Sequence, residues 1–212
     1  MTSGKILQFI THGATAEATV AQVAAVLAGG CRWIQLRMKH FADYDIERVI
    51  ERVKPLCGEY GAVCIMNDRV DLVAKYHLNG VHIGPEDMPV AEARQILGDD
   101  AIIGVTANTF DQILELSQQP VSYFGLGPMR FTTTKERLRP VIGLDGYHTL
   151  MQSMVQTGID KPAVAVGGIT LSDVHNLLAT GLWGVAVSGA IAGAPDMTAA
   201  TKQFMKQIQQ HQ

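Results

Sequence analysis

Tyr123-Phe124-Gly125-Leu126-Gly127-Pro128-Met129-Arg130 is the stretch on which the fold turns. It reads as a strand, Tyr123–Pro128, that ends in glycines. A doubly wound sheet that binds a dinucleotide carries Gly-x-Gly-x-x-Gly at this point, the last glycine allowing the helix to pack closely. Here Arg130 stands where that third glycine would be, and no GxxxxGK phosphate loop occurs elsewhere in the chain. An open nucleotide-binding sheet therefore loses its signature, and the closed alternative has to be tested outward from this strand.

Seven further strand candidates surround it: Leu7–Thr11, Trp33–Met38, Val63–Asn67, Gly80–Gly84, Ile102–Ala107, Ala163–Ile169 and Val185–Ala190. The segments between them place apolar residues three and four apart, as in Val20, Val23, Ala24, Leu27 and in Val49, Ile50, Val53, Leu56, which is helical spacing. Gly29-Gly30, Gly61, Gly80, Gly158 and Gly181 precede strands, where helices are expected to stop. Regular alternation requires parallel strands joined by right-handed crossovers. Eight strands and eight helices predict a (β/α)8 TIM barrel, an α/β fold, as a single domain over residues 1–212.

Composition agrees. Apolar residues make up 47% of the 212, enough for a sizeable core, and no apolar run reaches the roughly 18 residues of a membrane span. The three cysteines form no CxxC pair, which suits free thiols in a reducing cytoplasm. A net charge of −3 argues against nucleic acid as the main partner. The expected partners are small molecules, with no membrane; a homo-oligomer is left open.

In such a barrel the chemistry sits at the carboxyl ends of the strands. After the second strand, alternation sends Gln35, Arg37 and Lys39 to one face and Ile34, Leu36 and Met38 to the other. Three long polar side chains directed inward describe a cationic rim for an anion, since unpaired they would cost several kcal/mol per charge to bury. The third strand ends in Asn67-Asp68 and the fourth leads to Asp87. Each aspartate alone could be a helix cap or turn residue. As neighbours on one rim they make a hard-cation site of few protein oxygens, the pattern of Mg2+. His82, mid-strand, reads as a hydrogen-bonded structural residue. The fifth strand ends in Thr106-Ala107-Asn108, which offers a hydroxyl and an amide. Gly167-Gly168 and Ser188-Gly189 close the seventh and eighth, where backbone N–H groups can approach a phosphate. Past Arg130 comes Thr132-Thr133-Thr134-Lys135, within a segment that holds four basic residues, Arg130, Lys135, Arg137 and Arg139, against one Glu136. Positive charge and hydroxyls concentrated this way in an acidic chain suit a phosphate or diphosphate.

Six motifs in order carry a resemblance: Gln-Leu-Arg-x-Lys at 35–39, Asn-Asp at 67–68, Val-His-Ile-Gly-x-Glu-Asp at 81–87, Gly-Leu-Gly-Pro at 125–128, Thr-x-Thr-Lys at 132–135 and Gly-Gly-Ile at 167–169. The chain resembles the thiamine-phosphate synthase (thiamine-phosphate pyrophosphorylase) family over nearly its whole length. The resemblance implies a transferase that joins 4-amino-5-hydroxymethyl-2-methylpyrimidine diphosphate to a thiazole phosphate, giving thiamine monophosphate and pyrophosphate by Mg2+-assisted dissociative displacement. It further implies that Gln35, Arg37, Lys39 and Asn67 bind the pyrimidine diphosphate and that Asp68 and Asp87 hold the metal. Thr106 and Lys135 would contact the diphosphate. Thr132, Thr133, Thr134, Gly168, Ser188 and Gly189 would take the thiazole phosphate. Arg37, Lys39 and Lys135 would carry the catalytic electrostatics.

The chain departs from the family pattern at Met38, where Glu is usual, at Pro85 for Gln, at Thr106-Ala107-Asn108 for Ser-x-His, and at Ser188-Gly189 for Val-Ser. These changes bear on substrate affinity more than on reaction type. The alternatives are a thiazole tautomerase of the same superfamily, which would not need Asp87, and a non-catalytic phosphate-binding barrel, which would not need the aspartate pair.

Overall fold

The computed structural model describes residues 4–131 and 140–211. Among these, eight parallel strands close into a barrel in sequence order: β1 (Ile6–Ile10), β2 (Trp33–Leu36), β3 (Val63–Asn67), β4 (Gly80–Ile83), β5 (Ile102–Ala107), β6 (Tyr123–Leu126), β7 (Ala163–Val166) and β8 (Gly184–Val187). The expected (β/α)8 fold is therefore the observed one. The barrel closes where β1 pairs with β8, Phe9 opposite Val187.

Nine α-helices accompany the strands among the described residues: α1 (Ala16–Ala28), α2 (Asp43–Glu59), α3 (Val70–Tyr76), α4 (Val90–Leu97), α5 (Phe110–Ser117), α6 (Gly143–Gln156), α7 (Val174–Ala179), α8 (Gly189–Ala192) and α9 (Met197–Gln209). One more than expected arises after β8. That strand stops at Val187, and Gly189-Ala190, read from the sequence as strand end, begin the short α8 instead. Local rules account for the helix starts. Thr15 and Thr109 accept hydrogen bonds from the backbone of Ala18 and Gln112, and Asp196 accepts from Ala199. On α2 the residues Ile46, Val49, Ile50, Val53 and Cys57 are all buried, one stripe at helical spacing turned to the barrel. No helix of the described residues is long and apolar enough to cross a membrane.

The apolar residues sort into two cores. Ile34, Leu36 and Met38 belong to the outer layer between sheet and helices. Trp33, Ile65, Tyr123, Val164, Val166 and Ala186 fill the lumen, and Trp33 meets Tyr123 edge to face at 5.7 Å. Alternation along β2 is thereby as the sequence indicates. One glycine was misread. Gly80 ends no helix: it opens β4, and a Cβ there would lie 2.0 Å from the carbonyl oxygen of Ile102. The actual stop of α3 is His77, in the left-handed conformation at φ 49°.

Candidate active site

A cavity of about 260 Å3 opens at the carboxyl ends of the strands, with Gln35, Arg37, Lys39, Asn67, Asp68, Asp87 and Thr106 all on its wall. Its floor includes Val164, Val166 and Ala186 of β7 and β8. Seven residues selected from four separate segments thus meet in one place. Gly168, Ser188 and Gly189 do not line this cavity; they follow Val166 and Ala186, which are paired across β7 and β8, by two or three residues. Thr132, Thr133, Thr134 and Lys135 lie outside the described residues.

The first rim is built on β2. Gln35 is 2% exposed, and the backbone N–H of Arg37 donates to Thr11 Oγ1 at 2.9 Å, which ties the end of β2 to β1. Lys39 then reaches Asp68, Nζ to Oδ2, at 3.2 Å. Asp68 is not a helix cap. It holds a left-handed backbone, φ 66°, a conformation that Asp tolerates better than most residues. Its N–H donates to the His82 carbonyl across β3 and β4 at 2.9 Å, and α3 starts from Arg69 without a side-chain cap. Arg69 points its charge elsewhere, to Asp43 at 2.5 Å and Asp71 at 2.7 Å.

Asp87 does have the turn role that the sequence allowed, since its Oδ2 accepts from Gly84 N at 2.6 Å. Its carboxyl also lies beside that of Asp68. Burial first, then the Asp87 carboxyl, push Asp68 up to about 6, against the opposing pull of Lys39. Two carboxyl groups this close repel when both are ionised, and a divalent cation relieves that repulsion. The donor set therefore fits a hard cation bound by few protein oxygens, with substrate oxygens and water to complete the shell. No group of three or more His, Cys, Asp or Glu side chains placed to hold a metal ion occurs among the described residues.

Below the rim runs a chain of hydrogen bonds that sequence reasoning did not anticipate. Gln8 Nε2 donates to Gln35 Oε1 at 2.7 Å and to the Tyr123 hydroxyl at 3.0 Å. Gln35 Nε2 donates to Asn67 Oδ1 at 2.7 Å. Tyr123 and Thr106 flank the two nitrogens of His82, each at 2.9 Å. In the tautomer in which the Tyr123 hydrogen goes to His82 Nδ1, the ring's Nε2–H donates to Thr106 Oγ1. The Thr106 hydroxyl hydrogen and the Asn67 amide hydrogens are left for the cavity. Burial raises the Tyr123 phenol well above its usual range, so it stays protonated. Two glycines make room for the network: a Cβ on Gly104 would lie 2.2 Å from the Tyr123 ring, and one on Gly125 would lie 2.8 Å from His82. His82 thus has the structural role expected of it. Gln8 and Tyr123 are the residues the sequence concealed.

The opposite rim is made of backbone. Gly167 and Gly168 both have positive φ, 94° and 71°. Ser188 Oγ is buried with no partner among the described residues. Gly189 has nothing within 4 Å of where a Cβ would stand. Asn108, which replaces the family's histidine, donates its amide to the Gly127 carbonyl and so braces the end of β6.

This geometry has close counterparts. The family model described as thiamine monophosphate synthase matches residues 7–191. A thiamine-phosphate synthase of Phocaeicola vulgatus is 49% identical over 199 residues, covering 94% of this chain and 96% of that one. Another, of Bacteroides fragilis, is 45% identical and covers 94% and 98%. A solved thiamine phosphate pyrophosphorylase from Pyrococcus furiosus superimposes with a TM-score of 0.85 at 31% identity, covering 97% of this chain and 96% of its own. The chain belongs to the thiamine monophosphate synthase family, whose members are transferases of thiamine biosynthesis.

Proposed function

We propose that this chain condenses 4-amino-5-hydroxymethyl-2-methylpyrimidine diphosphate with a thiazole phosphate, releasing pyrophosphate and leaving thiamine monophosphate. The observation that carries the proposal is the convergence of Gln35, Asn67 and Thr106 with Arg37, Lys39, Asp68 and Asp87 on one cavity. The first three offer hydrogen bonds to a flat heterocycle and its leaving group. The other four are the charged groups that a diphosphate and its counter-ion require.

Asp68 and Asp87 would hold Mg2+, which when bound neutralises charge on the diphosphate. Arg37 and Lys39 act at the same end. As the C–O bond to diphosphate breaks, negative charge builds on the departing oxygens, and fixed cations stabilise it more than they stabilise the substrate. That bond breaks first or nearly so, the thiazole nitrogen traps the pyrimidine-methyl cation left behind, and no side chain needs to remove a proton from the nucleophile. The remaining task is orientation, to which Gln35 and Asn67 contribute because the Gln8–Gln35–Asn67 chain fixes both amides. The Thr106 hydroxyl is directed at the same ligand by His82. On the other rim Gly168, Ser188 and Gly189 would take the thiazole phosphate; Thr132, Thr133 and Thr134 are assigned to that phosphate, and Lys135 to the diphosphate, by the family motif, since these four lie outside the described residues. The unpartnered Ser188 hydroxyl supports that reading. A cytoplasmic location fits the free thiols of Cys31, Cys57 and Cys64.

Incubation of the purified protein with both substrates and Mg2+, followed by oxidation to a fluorescent product, tests the proposal. Thiamine monophosphate is expected only when all three are present. Its absence at any metal concentration would overturn the assignment.

A further inference from the structure

The Gly167–Gly168 turn has no side chains, so its aim is set by its neighbours. Three bonds hold its carbonyls on one side. Gly167 O accepts from the backbone of Met129 at 3.0 Å and of Arg130 at 3.2 Å, and Gly168 O accepts from Arg130 Nη1. Across a trans peptide the C=O and N–H point in opposite directions. The N–H groups of Gly168 and Ile169 therefore face away from the segment 128–130, and neither has an acceptor among the described residues.

Arg130 is itself held. Its Nη1 and Nη2 donate to Oδ2 and Oδ1 of Asp173, both at 2.7 Å, a two-pronged pair that only a guanidinium can make. Asp173 is anchored in turn, because Oδ2 accepts from Thr170 N at 2.7 Å and from Thr170 Oγ1 at 2.8 Å. The arginine stem lies on the turn, 2.5 Å from where a Gly168 Cβ would stand. With a carboxylate across its fork, the guanidinium's charge is already answered, so it acts on the backbone rather than as an anion ligand.

We propose that Arg130 and Asp173 form a positioning pair that draws the Gly167–Gly168 carbonyls to one side and so presents the Gly168 and Ile169 N–H groups to the phosphate monoester of the second substrate. This rests on the function proposed above and adds to it two residues that touch no reacting atom.

Steady-state kinetics of Arg130→Lys, Arg130→Ala, Asp173→Asn and the double variant Arg130→Ala/Asp173→Asn test the pair. Asparagine at 173 can still accept from Thr170, so the turn keeps its cap. The KM for thiazole phosphate is expected to rise about tenfold, the worth of one charge-supported contact. The KM for the pyrimidine diphosphate and kcat at saturation should move less than about threefold. Lysine should not rescue, and the double variant should be no worse than the worse single, as for two parts of one device. The unphosphorylated thiazole alcohol is the decisive probe, because the variants should lose preference for the phosphate while using the alcohol as before. An unchanged KM for thiazole phosphate, or equal losses with phosphate and alcohol, would overturn the pair's role. Should the wild type form no thiamine monophosphate, the proposed function fails on its own. Calorimetric binding of thiazole phosphate to wild type and Asp173→Asn then decides the pair separately, with weakened binding supporting it and equal binding refuting it.

Discussion

Asp68 and Asp173 stand at the same end of the barrel, one after β3 and the other after β7, yet their carboxyls are driven in opposite directions. Asp68 is pushed up to about 6 by burial and by Asp87. Asp173 is held down to about 2, chiefly by its hydrogen bonds with Arg130. The difference separates an unfinished electrostatic arrangement from a finished one. Around Asp68 the Lys39 ammonium faces two carboxyl groups, whose mutual repulsion a divalent cation would relieve. Around Asp173 the opposing charge is already in place, and the pair serves to hold backbone still. One half of the mouth is thus built from side chains that await a ligand, and the other from peptide groups aimed by a satisfied ion pair.

That division predicts where the largest loss will fall. Asp87→Asn removes a charge from the unfinished half, and kcat is expected to drop at least about a hundredfold, the scale of one electrostatic contact in a transition state. The measurement is the initial rate of thiamine monophosphate formation at saturating substrates. A rate near wild type would mean that the aspartate pair holds no catalytic ion and that the comparison has been drawn in the wrong place.

The backbone half should respond in affinity. Gly168→Ala puts a Cβ at φ 71° and 2.5 Å from Arg130 Cγ, combining strain of about 1–3 kcal/mol with displacement of the clamp. The KM for thiazole phosphate should rise about tenfold or more, with kcat within about threefold of wild type. If kcat fell instead, the two halves would not be separable and the turn would belong to the chemistry.

A smaller effect is expected one layer below the side-chain half. Tyr123→Phe removes the hydroxyl that accepts from Gln8 and pairs with His82 Nδ1. A buried Gln8 N–H loses its partner, at about 1–3 kcal/mol of stability. His82 becomes free to carry its proton on Nδ1, which would redirect the Thr106 hydroxyl from the cavity to His82. Denaturant unfolding should show the first effect. A several-fold higher KM for the pyrimidine diphosphate, with that for thiazole phosphate unchanged, should show the second. A rise in both would blur the boundary between the halves.

These two halves were not equally legible in the sequence. Gln35, Arg37, Lys39, Asn67, Asp68 and Asp87 announce themselves because charged and amide side chains at strand ends have few structural uses. The barrel was legible for a similar reason, since alternating strand and helix patterns leave few parallel architectures once the third glycine is missing at Arg130. Gln8 and Tyr123 were hidden because each is a lone polar side chain set inside an apolar strand. Only the pairing of Tyr123 with Gly104 across β5 and β6 betrays the space made for a ring, and that pairing depends on register. Gly80 misled because a glycine before a strand serves equally as a helix stop and as a close backbone contact. Asp173 was invisible for a different reason: its partner lies 43 residues away, and only the closed barrel sets the loops after β6 and β7 side by side.

The smallest effect concerns acid stability and tests whether Asp173 really is the satisfied member of the comparison. A carboxyl held below its unfolded value, near about 3.9, contributes its full stabilisation above that value and loses it as pH falls through about 4 toward 2. Arg130 is 42% exposed, so solvent screening keeps the contribution at the scale of a surface pair, under about 1 kcal/mol. The difference in unfolding free energy between wild type and Asp173→Asn should therefore stay constant from about pH 7 to 5 and shrink across the next few units of acidification. Asp68, raised rather than lowered, contributes with the opposite sign: its ionisation costs more in the folded chain, so wild type loses stability as pH rises from about 4 to about 6, and Asp68→Asn should gain on it across that window and no further above it. Chemical denaturation at several pH values, with chelator present, separates the two slopes. Parallel pH profiles for both variants would show that the two aspartates sit in equivalent surroundings, and the contrast between the halves would have no electrostatic basis.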